Sequence, residues 1–165
     1  LATAYDQYDK SFKLGDDFTV GAMIGTPEHP FRGHFDGDGH TLTFNLDTDE
    51  DYAAPFRYVV GYPDQELEVG GTINTGAKYA AGVVADYLRL GADYDDTTMT
   101  IENVRCELTV NSSVAGDGSH GGIMATAQDF TRCHVNMKGC AFTGRMLGDQ
   151  TTHCGGLVGY VFCKT

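Results

Sequence analysis

One feature constrains this chain above all others: a strand, a turn and a Gly-led strand recur three times in the same order. The first strands are Leu67–Ile73, Val104–Val110 and Cys140–Met146. Each alternates apolar or small residues with mostly polar ones, the period of a half-buried strand. The Gly-led partners are Gly82-Val83-Val84-Ala85, Gly122-Ile123-Met124-Ala125 and Gly156-Leu157-Val158-Gly159. They begin 9, 12 and 10 positions after Ile73, Val110 and Met146. The repeat step is 40 residues from Gly82 to Gly122 and 34 from Gly122 to Gly156. The difference falls in polar loops such as Gly91–Asp96, where insertion is tolerated.

Equivalent strands that follow one another at such a period run the same way, so they pair in parallel. Short strands and many glycine turns, 22 Gly against 4 Pro, predict an all-β solenoid of about four coils. The glycines suit corners where a positive φ or a close coil contact excludes a Cβ. Ala53–Tyr62 and Tyr79–Leu90 are the only stretches with helical character; Gly82 and two valines favour strand in the second. Residues 1–26 are less regular and read as an N-terminal cap on a repeat domain of 27–165. Within that cap, Phe12–Val20 has strand character.

Eleven Lys and Arg against 23 Asp and Glu give a net charge of -12. That balance disfavours nucleic acid, which needs clustered cations, and anionic membrane surfaces. No apolar run is long enough to span a bilayer. Five cysteines (106, 133, 140, 154 and 163) is an odd count, so a secreted form has a free thiol or an intermolecular bridge. Cys133 and Cys140 could bridge across the Lys138-Gly139 turn, or pack as small apolar residues. The abrupt ends predict a piece cut from a longer, secreted polypeptide.

The segment Pro30-Phe31-Arg32-Gly33-His34-Phe35-Asp36-Gly37-Asp38-Gly39-His40-Thr41-Leu42 resembles the "pFxGxFDGxGHTI" stretch of bacterial surface proteins of the GLUG-motif, adhesin-like group. Gly121–Met124 and Gly155–Gly159 resemble that group's "GGhhG" element, and Ile101-Glu102-Asn103 its "IxN" ladder. The likeness covers roughly residues 28 to 162. Gly122-Ile123-Met124-Ala125 departs from it by lacking the final Gly. What it implies is a right-handed parallel β-helix in large secreted proteins of host-associated bacteria.

Candidate sites are few. Asp36 and Asp38, in a Gly turn, could supply calcium oxygens, although the EF-hand spacing is absent; a tight turn with Asp capping the backbone is the favoured reading. The acidic runs Asp47–Asp51 and Asp93–Asp96 read as solvated loops or loose cation sites. His120 and Cys154 each stand two places before a repeat glycine, so stacking makes them neighbours. With His153 and Cys163 they could hold a metal, or simply fill a coil corner. Nine tyrosines offer sugar-stacking rings, and Tyr87 and Tyr94, flanking a loop, are the ligand-binding candidates. No serine-hydrolase elbow, P-loop or dinucleotide fingerprint is present.

The expected function is a non-catalytic, extracellular or cell-surface adhesin-like module that binds a glycan or a surface protein, or acts as a spacer. No cofactor is expected beyond possible calcium, and no membrane insertion of this segment. A polysaccharide lyase or hydrolase on a parallel β-helix is the first alternative, by fold analogy alone. A purely structural stalk segment is the second.

Overall fold

Alternation along the strands sorts the side chains into two sets, and the backbone arranges them in columns. The computed structural model describes residues 1–60, 64–88, 97–130, 133–148 and 151–163. Every strand pair among them is parallel. The described residues are all-β apart from a 3-10 turn at Tyr5–Gln7.

The chain makes five successive passes. The first lays down β1 (Ser11–Lys13) and β2 (Phe18–Val20). The second gives β3 (His34–Asp36), β4 (Thr41–Thr48), β5 (Tyr52–Ala53) and β6 (Phe56–Val59). The third gives β7 (Asp64–Gln65), β8 (Glu68–Thr75), β9 (Tyr79–Ala81) and β10 (Val84–Tyr87). The fourth holds β11 (Thr97–Glu102), β12 (Arg105–Cys106), β13 (Thr109–Ser112), β14 (Gly116–Gly121) and β15 (Met124–Phe130). The fifth holds β16 (Cys133–Lys138), β17 (Ala141–Phe142), β18 (Arg145–Leu147), β19 (Thr151–Gly155) and β20 (Val158–Cys163).

Four open sheets result, each gaining strands from successive passes. In the first the order is β1-β3-β7-β11-β16. The second runs from β2 through β4 and β8 to β12 with β13, then β17 with β18. The third is β5-β9-β14-β19 and the fourth β6-β10-β15-β20. The repeat register matches the sequence spacing. Ile73 pairs with Val110 and Val110 with Met146, while Val84 pairs with Met124 and Met124 with Val158.

The sequence repeat counts three units, and the structure adds two earlier passes. Ala53–Tyr62 is not helical where described: β5 and β6 occupy it, and Tyr52-Ala53 pairs with Tyr79-Ala80. Phe12–Val20 likewise enters the sheets, since β1 pairs with β3 and β2 with β4.

The core is a set of stacked apolar columns. One is Phe18–Leu42–Val69–Cys106–Phe142 and another Val59–Tyr87–Ala127–Val161. Their middle members are buried. The turn after the first sheet is a column too. Glu66, Asn103 and Gly139 follow the paired residues Gln65, Glu102 and Lys138, with φ of 50°, 56° and 66°. This left-handed corner explains the Asn and the Gly, which adopt it at least cost.

Repeat glycines act through space rather than through φ. A Cβ on Gly82 would lie 2.3 Å from the Gly122 carbonyl oxygen, and one on Gly122 would lie 2.0 Å from that of Gly156. The tight bend between the third and fourth sheets therefore stacks backbone on backbone. A second small core sits on the far side of that bend, made of Ala54, Ala81, Ala85 and Ala125 with Tyr52 and Tyr79 packed against it.

Candidate functional site

Around that second core, aromatic and polar side chains from two sheets gather. On the third sheet, Tyr52, Tyr79, Ser119 and His153 stand in register. On the fourth sheet, Tyr58, Asp86, Thr126 and Tyr160 form the matching column. Small residues make this possible. Alanines at 54, 81, 85 and 125 let the two columns approach across the bend.

Contacts close the seam at both margins. Tyr52 stacks on Tyr79 with centroids 4.7 Å apart and meets Tyr58 at 5.1 Å. At the other margin His153 lies 4.9 Å from the Tyr160 ring, and its Nδ1 is 3.3 Å from Ser119 Oγ. Between them Asp86 is 5% exposed and Thr126 fully buried. Thr126 Oγ1 has no hydrogen-bond partner among the described residues. Burial first, then the Asp86 carboxylate, pushes the Tyr52 phenol above its ordinary value. Burial also raises Tyr58, with Arg57 opposing. Both phenols therefore stay protonated and can donate or accept hydrogen bonds. On the rim Lys78 lies over the Tyr79 ring at 5.4 Å and pairs with Asp117 at 2.8 Å.

The partly exposed Tyr52 and Tyr79 rings, with Lys78 and Asp117 on the rim, suit a ligand with one apolar face and polar edges. They suit nucleophilic catalysis poorly, because Ser119 is only 3% exposed beneath His153.

The sequence-derived candidates scatter. Tyr87 is fully buried in the interior column below Ala127, so its ring offers no ligand surface. Its strand turns it inward and Asp86 outward to the seam. Tyr94 and Asp93–Asp96 lie outside the described residues. His120 and Cys154 are register neighbours as expected. His120 is buried, with Nε2 3.1 Å from the Ala77 carbonyl oxygen, while Cys154 is an exposed free thiol. His153 is adjacent to Cys154 in its strand and therefore faces the opposite side, toward Ser119. Among the described residues His120, His153 and Cys154 form no metal-ligating group, and the side chain of Cys163 lies outside the described residues. Cys133 likewise; Cys140 is a free thiol with Sγ 3.3 Å from the Ile101 carbonyl oxygen.

Asp36 and Asp38 do converge, joined by Glu66 from the next pass. One oxygen from each lies within 4.8 Å of the others, so this corner could hold a divalent cation. The turn also accounts for them. Asp36 Oδ1 accepts the Asp38 N–H at 2.9 Å, and Lys13 Nζ pairs with Asp38 at 2.7 Å. In the Asp47–Asp51 run, Asp49 accepts the Gly76 N–H at 3.0 Å and Glu50 pairs with Arg57. Both acidic stretches thus cap backbone and pair with cations.

The seam tyrosines were visible in the sequence as Tyr52-Ala53-Ala54 and Tyr79-Ala80-Ala81, a repeated Tyr-Ala-Ala aligned by its position before the bend. No described helix is long and apolar enough to cross a membrane. Comparison with protein-family models, curated proteins and solved structures finds no match.

Proposed function

We propose that this chain is a non-catalytic binding module of a secreted or cell-surface protein, folded as a short right-handed parallel β-helix. Four passes that feed the same four parallel sheets, after a first pass that feeds two of them, support the β-helix reading, and parallel connections are almost always right-handed. The ligand proposed is a glycan, held at the tyrosine seam. The observation that carries this is the Tyr52–Tyr79 stack, partly exposed beside the rim pair Lys78–Asp117. Aromatic faces take the apolar side of a sugar ring, and exposed charged groups at the rim take its hydroxyls. Similarity of the FDGDGHT segment to GLUG-motif adhesins points the same way.

A glycan array with the purified chain tests this reading, run with calcium and then with chelator. Binding to a related set of glycans that Tyr79→Ala abolishes supports it. Silence of the folded protein, or binding that survives Tyr79→Ala, removes the seam as a glycan site.

A carbohydrate-active enzyme is the second reading. Asp36, Asp38 and Glu66 lie together beside Lys13, a grouping of acids and a cation that such chemistry uses. Cleavage of an acidic polysaccharide that Asp36→Asn removes would establish it, and a flat product assay across a polysaccharide panel would retire it.

A further inference from the structure

The corner between the second and third sheets repeats one turn on three passes. Thr48, Thr75 and Ser112 stand in register at the ends of β4, β8 and β13. Each hydroxyl oxygen accepts the N–H two residues on, from Glu50, Ala77 and Val114 at 3.2, 2.9 and 3.2 Å. This local bond fixes the direction in which the chain leaves the sheet. One position earlier, on the outer face, Asn111 Nδ2 donates to Asn74 Oδ1 at 2.7 Å, and Asn74 Nδ2 donates to Asp47 Oδ1.

The upper members of these two columns, with Ser113, Leu147 and Gly148, line a groove of ≈ 370 Å³. It opens to the side of the stack. Asn74 is exposed and Asn111 half-buried, although they belong to the third and fourth passes, which have a further pass on either side. No lining residue is charged, in a chain whose residues are 21% charged. The polar groups are held in place and still have capacity. A carboxamide carries two N–H groups, and the ladder takes one from Asn74 and one from Asn111. Ser112 accepts through its oxygen and keeps its O–H to donate. These groups recur along the axis at the strand spacing of about 4.8 Å.

We propose that this groove binds an uncharged linear glycan running along the stack axis. Sugar hydroxyls donate and accept, so they match the second N–H of each amide, the Asn111 Oδ1 and the serine hydroxyls. Side chains already fixed by their own hydrogen bonds lose little freedom on binding. Leu147, 47% exposed, offers an apolar patch to a ring face. An acidic glycan is disfavoured, because Asp47 stands at the foot of the ladder and the chain carries a net charge of -12. An extended peptide needs an open strand edge or side-chain pockets, and a corner made of turns supplies neither. The groove is separate from the tyrosine seam, which lies across the next bend, and either can bind without the other.

Amide NMR of the labelled chain tests the proposal, with titration by linear oligosaccharides of glucose, N-acetylglucosamine and mannose. A polyuronate and an uncharged peptide serve as comparisons. At least one neutral oligosaccharide is expected to shift the side-chain amide signals of Asn74 and Asn111 and the backbone signals of Ser112 and Ser113. Its affinity is expected not to change with salt, and Tyr79→Ala is expected to leave the response intact. Asn111→Ala is expected to weaken binding about two- to tenfold. Ser113→Phe, at an exposed residue, fills the groove and is expected to abolish binding; it decides the matter if Asn111→Ala fails to fold. Absence of shifts at these four residues with every neutral oligosaccharide overturns the proposal. So do shifts confined to Tyr52 and Tyr79, binding that survives Ser113→Phe, a preference for the polyuronate, or a response to the peptide alone.

Discussion

The N-terminal and C-terminal ends finish the same columns in different ways. At the N-terminal end the chain folds back over its own first layer. Tyr8 is 3% exposed, its hydroxyl donates to the Ala2 carbonyl oxygen and accepts the Gly25 N–H, and its ring stands edge-on to Phe31. Its carbonyl oxygen also takes the Arg32 N–H at 2.8 Å. At the C-terminal end no described segment crosses the last layer. The difference teaches that position in the stack, more than residue type, sets what a side chain is worth. A leucine in the fifth pass and an isoleucine one layer beneath occupy equivalent places with very different burial. Local stability is expected to fall toward the bare end, where amides have least covering structure.

The sharpest way to break that comparison is to truncate both members of one column. Ile123→Ala empties a fully buried site and is expected to cost about 2–5 kcal/mol. Leu157→Ala, directly above it, is expected to cost about 1 kcal/mol, since much of that side chain already meets water. Chemical denaturation of dilute monomer measures both, and equal losses would mean that the last layer is covered in solution.

Glycine gives the next largest contrast. A methyl on Gly122 would meet the Gly156 carbonyl oxygen at 2.0 Å and the Phe142 ring at 2.3 Å. Backbone has to move, so Gly122→Ala is expected to destabilise by about 1–3 kcal/mol. A methyl on Gly156 meets nothing within 4 Å, so Gly156→Ala is expected to be neutral or to stabilise by about 0.4–1 kcal/mol. Thermal unfolding of the two variants reads the difference. The same repeat glycine is thus a packing requirement inside the stack and dispensable at its edge.

This contrast also explains how much of the molecule was legible in the sequence. All-β character, parallel pairing and the register of the last three passes followed from apolar alternation and the Gly-led repeat. Gly82 and Gly122 are forced by contact, and a forced residue leaves a sequence signal. The first passes were not legible as repeats, because Ala53-Ala54-Pro55-Phe56 reaches the same bend without a glycine. The seam was missed for another reason. It is built from one residue per strand, separated by 27 to 40 positions, and only the twice-repeated Tyr-Ala-Ala marks it locally. Tyr87 drew attention by lying near a loop, yet strand alternation turns it into the core. Asp36 and Asp38 were visible as a turn, whereas Glu66 joins them only through the stacking of passes.

A smaller effect separates a covered histidine from an exposed surface. Burial, the largest influence, holds the His120 imidazole below its ordinary value, against the opposing hydrogen bond to the Ala77 carbonyl oxygen. The folded state therefore keeps His120 neutral where the unfolded chain, with a value of about 6.5, already takes up a proton. Because the unfolded chain binds more protons there, stability is fully present above that pH and is lost as pH falls through the folded value. Denaturation midpoints followed downward from neutral pH are expected to drop less steeply in His120→Gln. An unchanged slope would show that His120 is reached by solvent, and hence that the fourth pass is less covered than the fifth implies.

The smallest expected effect sharpens the comparison by repairing the bare end. Outside the second sheet, Asp47, Asn74, Asn111 and Leu147 stand in register. Asn111 Nδ2 donates to Asn74 Oδ1 at 2.7 Å, and Asn74 Nδ2 donates in turn to Asp47 Oδ1. The amide ladder stops at Leu147, which is 47% exposed and has no polar group to continue it. Leu147→Asn extends the ladder by one hydrogen bond, worth about 0.5–1.5 kcal/mol, and gives up a side chain that is only half buried. Those terms nearly cancel, so a net change within about 0.5 kcal/mol of zero is expected for the isolated monomer. Amide exchange is the better readout, because the added bond acts on β18 and not on global unfolding. Slower exchange confined to Arg145–Leu147 would show the ladder stabilising the edge locally; unchanged exchange there would mean that the fifth pass frays as a unit, with side-chain pairing on its surface too weak to hold it.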